Sequence, residues 1–243
     1  MRFIYITIIV FLLLGCSDER NTREKADFTA DWKFHLGDVE GAVATSYDDS
    51  SWRVLNLPHD WSIEAEFSAS NPATPGGGAL PGGVGWYRKT FEVPTSDKGK
   101  IFYIDLAGIY MNSSVWINGH LLGTRPNGYL TFRYELTPYL KYGGQNVITV
   151  KVDNSTQPNA RWYTGSGIYR NVWMTRVNPL HVDLWGTYIT TPNVSKDEAE
   201  IVINTTIRNK ENTQDAELST SLLDAQGQTV ATLEIPFTVG TDT

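Results

Sequence analysis

The sequence predicts an all-β protein in which a jelly-roll sandwich is followed by an incomplete immunoglobulin-like β-sandwich. Three observations carry this. Apolar residues alternate with polar ones over short runs, and Gly, Pro, Asn and Asp separate the runs, the pattern of sandwich and jelly-roll folds. No long segment has the three-to-four-residue period of an amphipathic helix. Residues 115–123 (VWINGHLLG) set an Asn-Gly pair between two apolar runs. Asn118 and Gly119 both tolerate positive φ, as a two-residue type I′ hairpin turn requires. That register puts Ile117 opposite His120, Trp116 opposite Leu121 and Val115 opposite Leu122. Large apolar groups then lie on both faces, so the hairpin is expected inside a sheet, away from a solvated edge.

In chain order, residues 1–16 read as a targeting segment. Arg2 supplies a positive start, residues 4–14 form an apolar run too short to span a bilayer, and Gly15 precedes Cys16. LLGC resembles a bacterial lipoprotein signal, which implies lipid attachment at Cys16, export, and a cell-envelope location at the outer membrane or cell surface. Membrane contact is then expected through the lipid anchor only. Residues 17–26 are short and charged and read as a tether.

Strands are expected at 32–34, 54–57, 86–93, 101–106, 111–117, 121–124, 129–134, 146–153 and 168–177, with one helical turn at 136–140. Pro58 stops the second strand because proline has no N–H for a ladder. Residues 68–85 have no periodicity and are crowded with Pro and Gly. A loop of that length in a compact domain points to function, and Trp86 and Tyr87 anchor its end. Asn178-Pro179 separates residues 27–178 from residues 179–243. The later strands, expected at 181–190, 198–208, 216–223 and 229–237, are richer in Thr, Val and Ile. An immunoglobulin-like sandwich has about seven strands and about 100 residues, so the sequence is expected to stop within that second domain.

Composition narrows the function classes. Apolar residues make up 41% of the 243, enough for a core. A net charge of −7 with no basic run argues against nucleic acid as a partner. One cysteine excludes an internal disulfide, and the four histidines are scattered without metal-ligand spacing, so no metal and no cofactor are expected. Eight Trp, twelve Tyr and nine Phe are mostly core material; a few exposed rings would suit stacking on sugars. No G-x-S-x-G elbow is present, and residues 76–78 lack the following helix and Lys of a phosphate loop. Glu64, Glu66, Asp48 and Asp49 read as solvated acids, and Asp60 as a turn cap.

Six stretches then add up: DWKFHLGD (31–38), DDSSWRVLNLPHDWSI (48–63), ALPGGVGWYRKTF (79–91), VWINGHLLG (115–123), NVITVKVDN (146–154) and RWYTGSGIYRNVW (161–173). In this order they resemble the N-terminal part of glycoside hydrolase family 2, the β-galactosidase, β-glucuronidase and β-mannosidase group. The resemblance implies a galactose-binding-like jelly roll, an immunoglobulin-like second domain, and in the whole enzyme a (β/α)8 barrel that carries two catalytic glutamates. No such barrel is legible in these residues, and no catalytic residue is carried over. The family's first domain reaches the substrate through loops, matched here by 68–85 and 159–167. On that resemblance Asn159 and Arg161 offer donors to sugar hydroxyls, and Trp162 or Tyr163 offers a stacking face. The family's best-known β-galactosidases carry an acid near this point, where this sequence has Asn159-Ala160-Arg161. The structural alternatives are Trp162 in the core and Arg161 in an ion pair. The expected function is the non-catalytic N-terminal part of a β-galactosidase-like hydrolase, with a β-galactoside or related glycan as partner and no activity alone. A stand-alone carbohydrate-binding surface lipoprotein is the alternative.

Overall fold

The computed structural model describes residues 23–242. The targeting segment, Cys16 and the first part of the tether lie outside the described residues. The strands in chain order are β1 (Arg23–Asp27), β2 (Trp32–Leu36), β3 (Arg53–Leu55), β4 (Gly83–Glu92), β5 (Ile101–Leu106), β6 (Ser113–Ile117), β7 (His120–Arg125), β8 (Phe132–Glu135), β9 (Gln145–Asn154), β10 (Val172–Val177), β11 (Leu180–Thr190), β12 (Val202–Asn209), β13 (Gln214–Leu223) and β14 (Thr229–Val239). Only short 3-10 turns accompany them among the described residues, one of them Thr137–Tyr139, where a helical turn was expected.

Two antiparallel sheets form the jelly roll. One has the order β1-β10-β5-β8, the other β3-β2-β4-β9-β6-β7. Alternation decides which side chains meet between them. Ile148, Val150 and Val152 of β9 and Tyr87 of β4 point inward and meet Phe102, Ile104 and Leu106 of β5 and Val172 of β10. Each fully buried aliphatic side chain contributes about 1.5–3 kcal/mol of transfer free energy.

Two expectations are corrected. Residues 23–26 are not tether: they belong to β1, which pairs with β10 from Arg23↔Val177 to Asp27↔Trp173. A charged edge strand reads like a linker in sequence, because edge strands carry charge to discourage further pairing. Here Glu24 pairs with Arg176 at 2.5 Å, and Lys25 Nζ lies 4.7 Å from the Trp173 ring centre. The Asn-Gly hairpin forms, with φ of 50° at Asn118 and 85° at Gly119. Its register holds at Ile117↔His120 and Trp116↔Leu121, then shifts so that Val115 faces Gly123 and not Leu122. The hairpin also ends the six-stranded sheet: β7 is its edge strand, and Leu121 is 55% exposed. Apolar content on both faces thus misplaced it.

The outer face of the larger sheet is closed by residues 38–52. Trp86 stacks on Trp116 at 5.7 Å, and Trp52 and Ala42 complete that cluster. Beneath this cover Arg88 is almost fully buried. Its Nε donates to Asp49 Oδ2 at 2.8 Å, its Nη1 reaches the Ala42 carbonyl, and Lys33 Nζ lies 2.5 Å from Asp49 Oδ1.

Beyond Pro179, β11 pairs with β12 and β13 with β14, both antiparallel, in the immunoglobulin-like part. Contacts join it to the jelly roll: Arg23 donates to the Val182 carbonyl, Tyr103 Oη lies 3.5 Å from His181 Nε2, and Lys210 faces Glu135 at 3.8 Å.

Burial alone would raise the Asp49 carboxyl, but hydrogen bonds from Lys33 and Arg88 outweigh it and hold it below its ordinary value. A depressed carboxylate stabilises above its unfolded value near 4 and loses that contribution as pH falls through the folded value. Asp49→Ala strands the Arg88 guanidinium and is expected to cost about 3–5 kcal/mol in urea unfolding at pH 7. The difference from wild type shrinks as the pH drops below about 4.

Candidate functional site

One end of the sandwich gathers three loops. After β3, Pro58 ends strand pairing and the chain turns beside residues 166–168: His59 N–H donates to the Ile168 carbonyl at 2.8 Å and Trp61 N–H to Ser166 at 3.1 Å. The Trp61 indole is buried and donates to the Gly82 carbonyl at 3.0 Å, which ties in the Pro/Gly-rich loop. Ser62 Oγ lies 2.7 Å from both the Pro81 carbonyl and Ser166 Oγ. Asn154, the last residue of β9, donates from Nδ2 to the Gly165 carbonyl at 3.0 Å and to Ser166 Oγ at 2.7 Å.

Asp60 is the junction. Its Oδ1 accepts the N–H of Ser62 at 3.0 Å and of Ser166 at 2.8 Å, and its Oδ2 accepts the Tyr163 hydroxyl. The first bond is the turn cap expected from sequence. The other two cross more than a hundred residues of chain. Gly165 makes this possible: its φ is +71°, and a Cβ there would lie 2.6 Å from Asp60 Oδ2. Gly78, with φ +90°, leaves room for the Tyr163 ring, since a Cβ would sit 3.1 Å from Cδ2. Partial burial, then the Asp60 carboxylate, push the Tyr163 phenol well above its ordinary value.

The outer surface of this end is aromatic. Trp162 is 60% exposed and Tyr163 41%. The Trp162 indole N–H donates to Tyr129 Oη at 3.1 Å, and Tyr129 is itself 51% exposed and lies edge-on to Tyr110 at 5.4 Å. The rings are therefore open to solvent but held from behind. The cavity beneath them, lined by Ser62, Leu80, Asn154 and Asn159, measures about 10 Å³. That admits one water and no sugar. A larger ligand meets the rim from outside.

Each sequence-derived candidate has a definite place. Trp162 is not core. Its ring has no cavity to fill, because the core is closed by Trp61, Ile168 and Tyr87. Asn159 is spent inside the loop: Nδ2 donates to Asn154 Oδ1 at 2.6 Å and to the Thr156 carbonyl at 3.0 Å, while Oδ1 accepts from Tyr110 at 3.3 Å. Arg161 is exposed and joins none of the ion pairs formed among the described residues. Tyr129 joins the rim from a segment expected to be strand.

The acids nearby are committed. Glu64 Oε1 and Oε2 both accept from Arg53 Nη2 at 2.8 Å. Burial raises the Glu64 carboxyl, but Arg53 and then His59 outweigh it and hold the group low. His59 is buried, with Nδ1 2.7 Å from Tyr87 Oη and Nε2 2.9 Å from Arg53 Nη2. Burial lowers its pKa, against the opposing pull of the Glu64 carboxylate. Nε2 also lies 3.2 Å from Glu64 Oε1, so this nitrogen sits between a guanidinium donor and a carboxylate acceptor.

A two-sheet jelly roll with an aromatic loop rim and no helical layer among the described residues belongs with the β-sandwich modules that accompany carbohydrate-active enzymes. The match is specific: residues 84–181 fit the glycosyl hydrolase 2 galactose-binding domain-like model, and the chain belongs to glycoside hydrolase family 2. It is 56% identical over 210 residues to a β-galactosidase, BoGH2A, of Bacteroides ovatus, which covers 86% of this chain and 25% of that protein. A putative β-glucuronidase of Formosa agariphila is 41% identical over 228 residues, 93% of this chain and 22% of its own. Among solved structures, a β-glycosidase from Bacteroides vulgatus superposes with a TM-score of 0.84 at 45% identity, over 88% of this chain and 28% of that one. The chain therefore spans about a quarter of the length of the relatives it matches, their N-terminal, non-catalytic part.

Gly165→Ala forces an L-residue into a left-handed backbone and a Cβ onto Asp60. It is expected to cost about 1–3 kcal/mol in denaturant unfolding, where an alanine at Gly227, a turn position with open space, costs less.

Proposed function

We propose that this chain supplies the sugar-facing rim of a β-galactosidase-like glycoside hydrolase and cleaves no glycosidic bond by itself. The observation that carries the reading is the pair Trp162 and Tyr163, exposed at the loop end yet fixed through Tyr129 and Asp60. Exposed, pre-positioned aromatic rings suit the apolar C–H face of a pyranose, and fixing them beforehand removes an entropic cost from binding. A β-galactoside is the favoured ligand because the 56%-identical relative is a β-galactosidase. In this reading residues 27–178 face the sugar and residues 179–243 begin the next domain.

Hydrolysis needs two carboxyls flanking the bond, about 5–5.5 Å apart for retention or about 6.5–9.5 Å for inversion. At this end Asp60 accepts three hydrogen bonds and Glu64 is paired with Arg53. Neither is available to protonate a leaving group. We further propose that the protein is exported and held at the outer membrane or cell surface by lipid on Cys16, a reading supported by the LLGC sequence.

Calorimetric titration of the purified chain with methyl β-galactoside is expected to give a Kd on the order of 1 mM. Trp162→Ala should weaken it about three- to tenfold, the worth of one aromatic contact. Absence of saturable binding would refute the rim reading. The same preparation should not turn over nitrophenyl β-galactoside, and measurable hydrolysis would contradict the non-catalytic assignment. Cys16→Ser is expected to abolish incorporation of labelled fatty acid in cells; labelling that persists would place the anchor elsewhere.

A further inference from the structure

The hydrogen-bond bookkeeping around Asp60 fixes the chemistry of the rim more finely than exposure does. An ionised carboxylate only accepts. Oδ1 is occupied by two backbone N–H groups, of Ser62 and Ser166, and Oδ2 takes the Tyr163 hydroxyl. A phenol has one proton. With that proton committed to a charged acceptor, Tyr163 Oη presents lone pairs alone to whatever approaches from solvent. The bond is charge-assisted and so stronger than one a neutral ligand atom could offer in its place. The geometry is enforced from both sides, because Gly165 and Gly78 are the positions where any side chain would displace the carboxylate or the ring. Tyr163 is 41% exposed and follows the exposed Trp162 on the same loop.

We propose that Tyr163 determines specificity at the rim: oriented by Asp60 as a hydrogen-bond acceptor, it selects a sugar presenting a free hydroxyl at one position and discriminates against the same sugar with that hydroxyl methylated or removed. Asp60 is the positioning residue, acting through Tyr163 without touching the ligand. The inference rests on the sugar-contact reading above and adds the sense of the hydrogen bond. Partial burial and, after it, this same Asp60 bond shift the Tyr163 phenol upward.

The test uses the purified chain, methyl β-galactoside and its set of monodeoxy and mono-O-methyl derivatives, with binding read by calorimetry. In the wild type one ring position should stand out, where the deoxy and the O-methyl compounds both bind about three- to tenfold more weakly than the parent, the worth of one net hydrogen bond. Tyr163→Phe should erase that selectivity while leaving the other positions unchanged. Asp60→Asn should change the ranking, separating the O-methyl compound from the deoxy compound. The amide oxygen retains the two backbone donors, its NH2 faces Tyr163 Oη, and the phenol proton turns outward. The O-methyl compound, which can only accept, then binds better than the deoxy compound. A penalty that survives Tyr163→Phe, or an unchanged ranking in a folded Asp60→Asn, would overturn the proposal. Tyr163→Phe removes one exposed hydroxyl, so it decides the matter even if Asp60→Asn fails to fold. A second readout needs no ligand: with 13C-labelled tyrosine, the Tyr163 ring should titrate at higher pH than in Asp60→Asn. A Tyr163 that titrates normally in the wild type refutes the clamp. A raised titration in a chain that shows no saturable sugar binding by calorimetry upholds the clamp but refutes the sugar-contact reading and the selectivity with it.

Discussion

The candidate site depends on one carboxylate accepting three hydrogen bonds. Asp60 collects the backbone of Ser62, the backbone of Ser166 and the hydroxyl of Tyr163, and so pins the loop after β3 to the loop before β10. Without it the aromatic rim would be two exposed rings on a mobile segment, and their ordering cost would fall on ligand binding. Around it the hydroxyl and amide groups of Ser62, Ser166 and Asn154 pass hydrogen bonds from Gly165 to Pro81, which draws in the third loop. The Pro/Gly-rich segment is thus ordered by being the wall against which the other two loops close.

Work is divided between two kinds of burial. The sandwich core is apolar and comes from strict alternation on β4, β5 and β9. The loop end is polar, and the cavity beneath its rim has room for about a single water. Buried polar groups are costly when unpaired and rigidifying when satisfied. Here the buried Asn154, Ser62 and Ser166 bond to one another and to the Gly165 and Pro81 carbonyls, so a polar cluster does what a hydrophobic plug does elsewhere. Trp162, Tyr163 and Tyr129 are the aromatic rings exposed at this end, beside Asn159 and Arg161, which offers a ligand aromatic faces and one phenolic oxygen.

Much of this was legible in the sequence. Strand positions follow alternation and the Pro and Gly breaks, and β9 agrees almost residue for residue because its inward and outward faces differ so sharply in chemistry. The six ordered motifs carried the family, and the match over residues 84–181 contains three of them whole. Four features were not readable. The Asn-Gly hairpin lies at a sheet edge because sheet order is a long-range property that no local pattern encodes, and its shift at Leu122 belongs to tertiary packing. β1 looks like a tether because its charges find partners only across the sheet. Trp162 reads as core by composition, whereas its exposure depends on Tyr129, Tyr110 and Asn159 filling the space behind it. The Asp60–Tyr163 bond joins residues 103 apart in the sequence and leaves no local signal beyond Gly165.

The central claim, that the loop end bearing Trp162 and Tyr163 is the sugar-facing surface, is tested most directly by a two-dimensional 15N–1H spectrum of the chain titrated with methyl β-galactoside. The account predicts saturable shifts of the Trp162 indole N–H and of the backbone amides of residues 160–166, with the buried Trp32, Trp61 and Trp86 indoles unmoved. Saturable shifts confined to another face, or none at this end at saturating sugar, would contradict it.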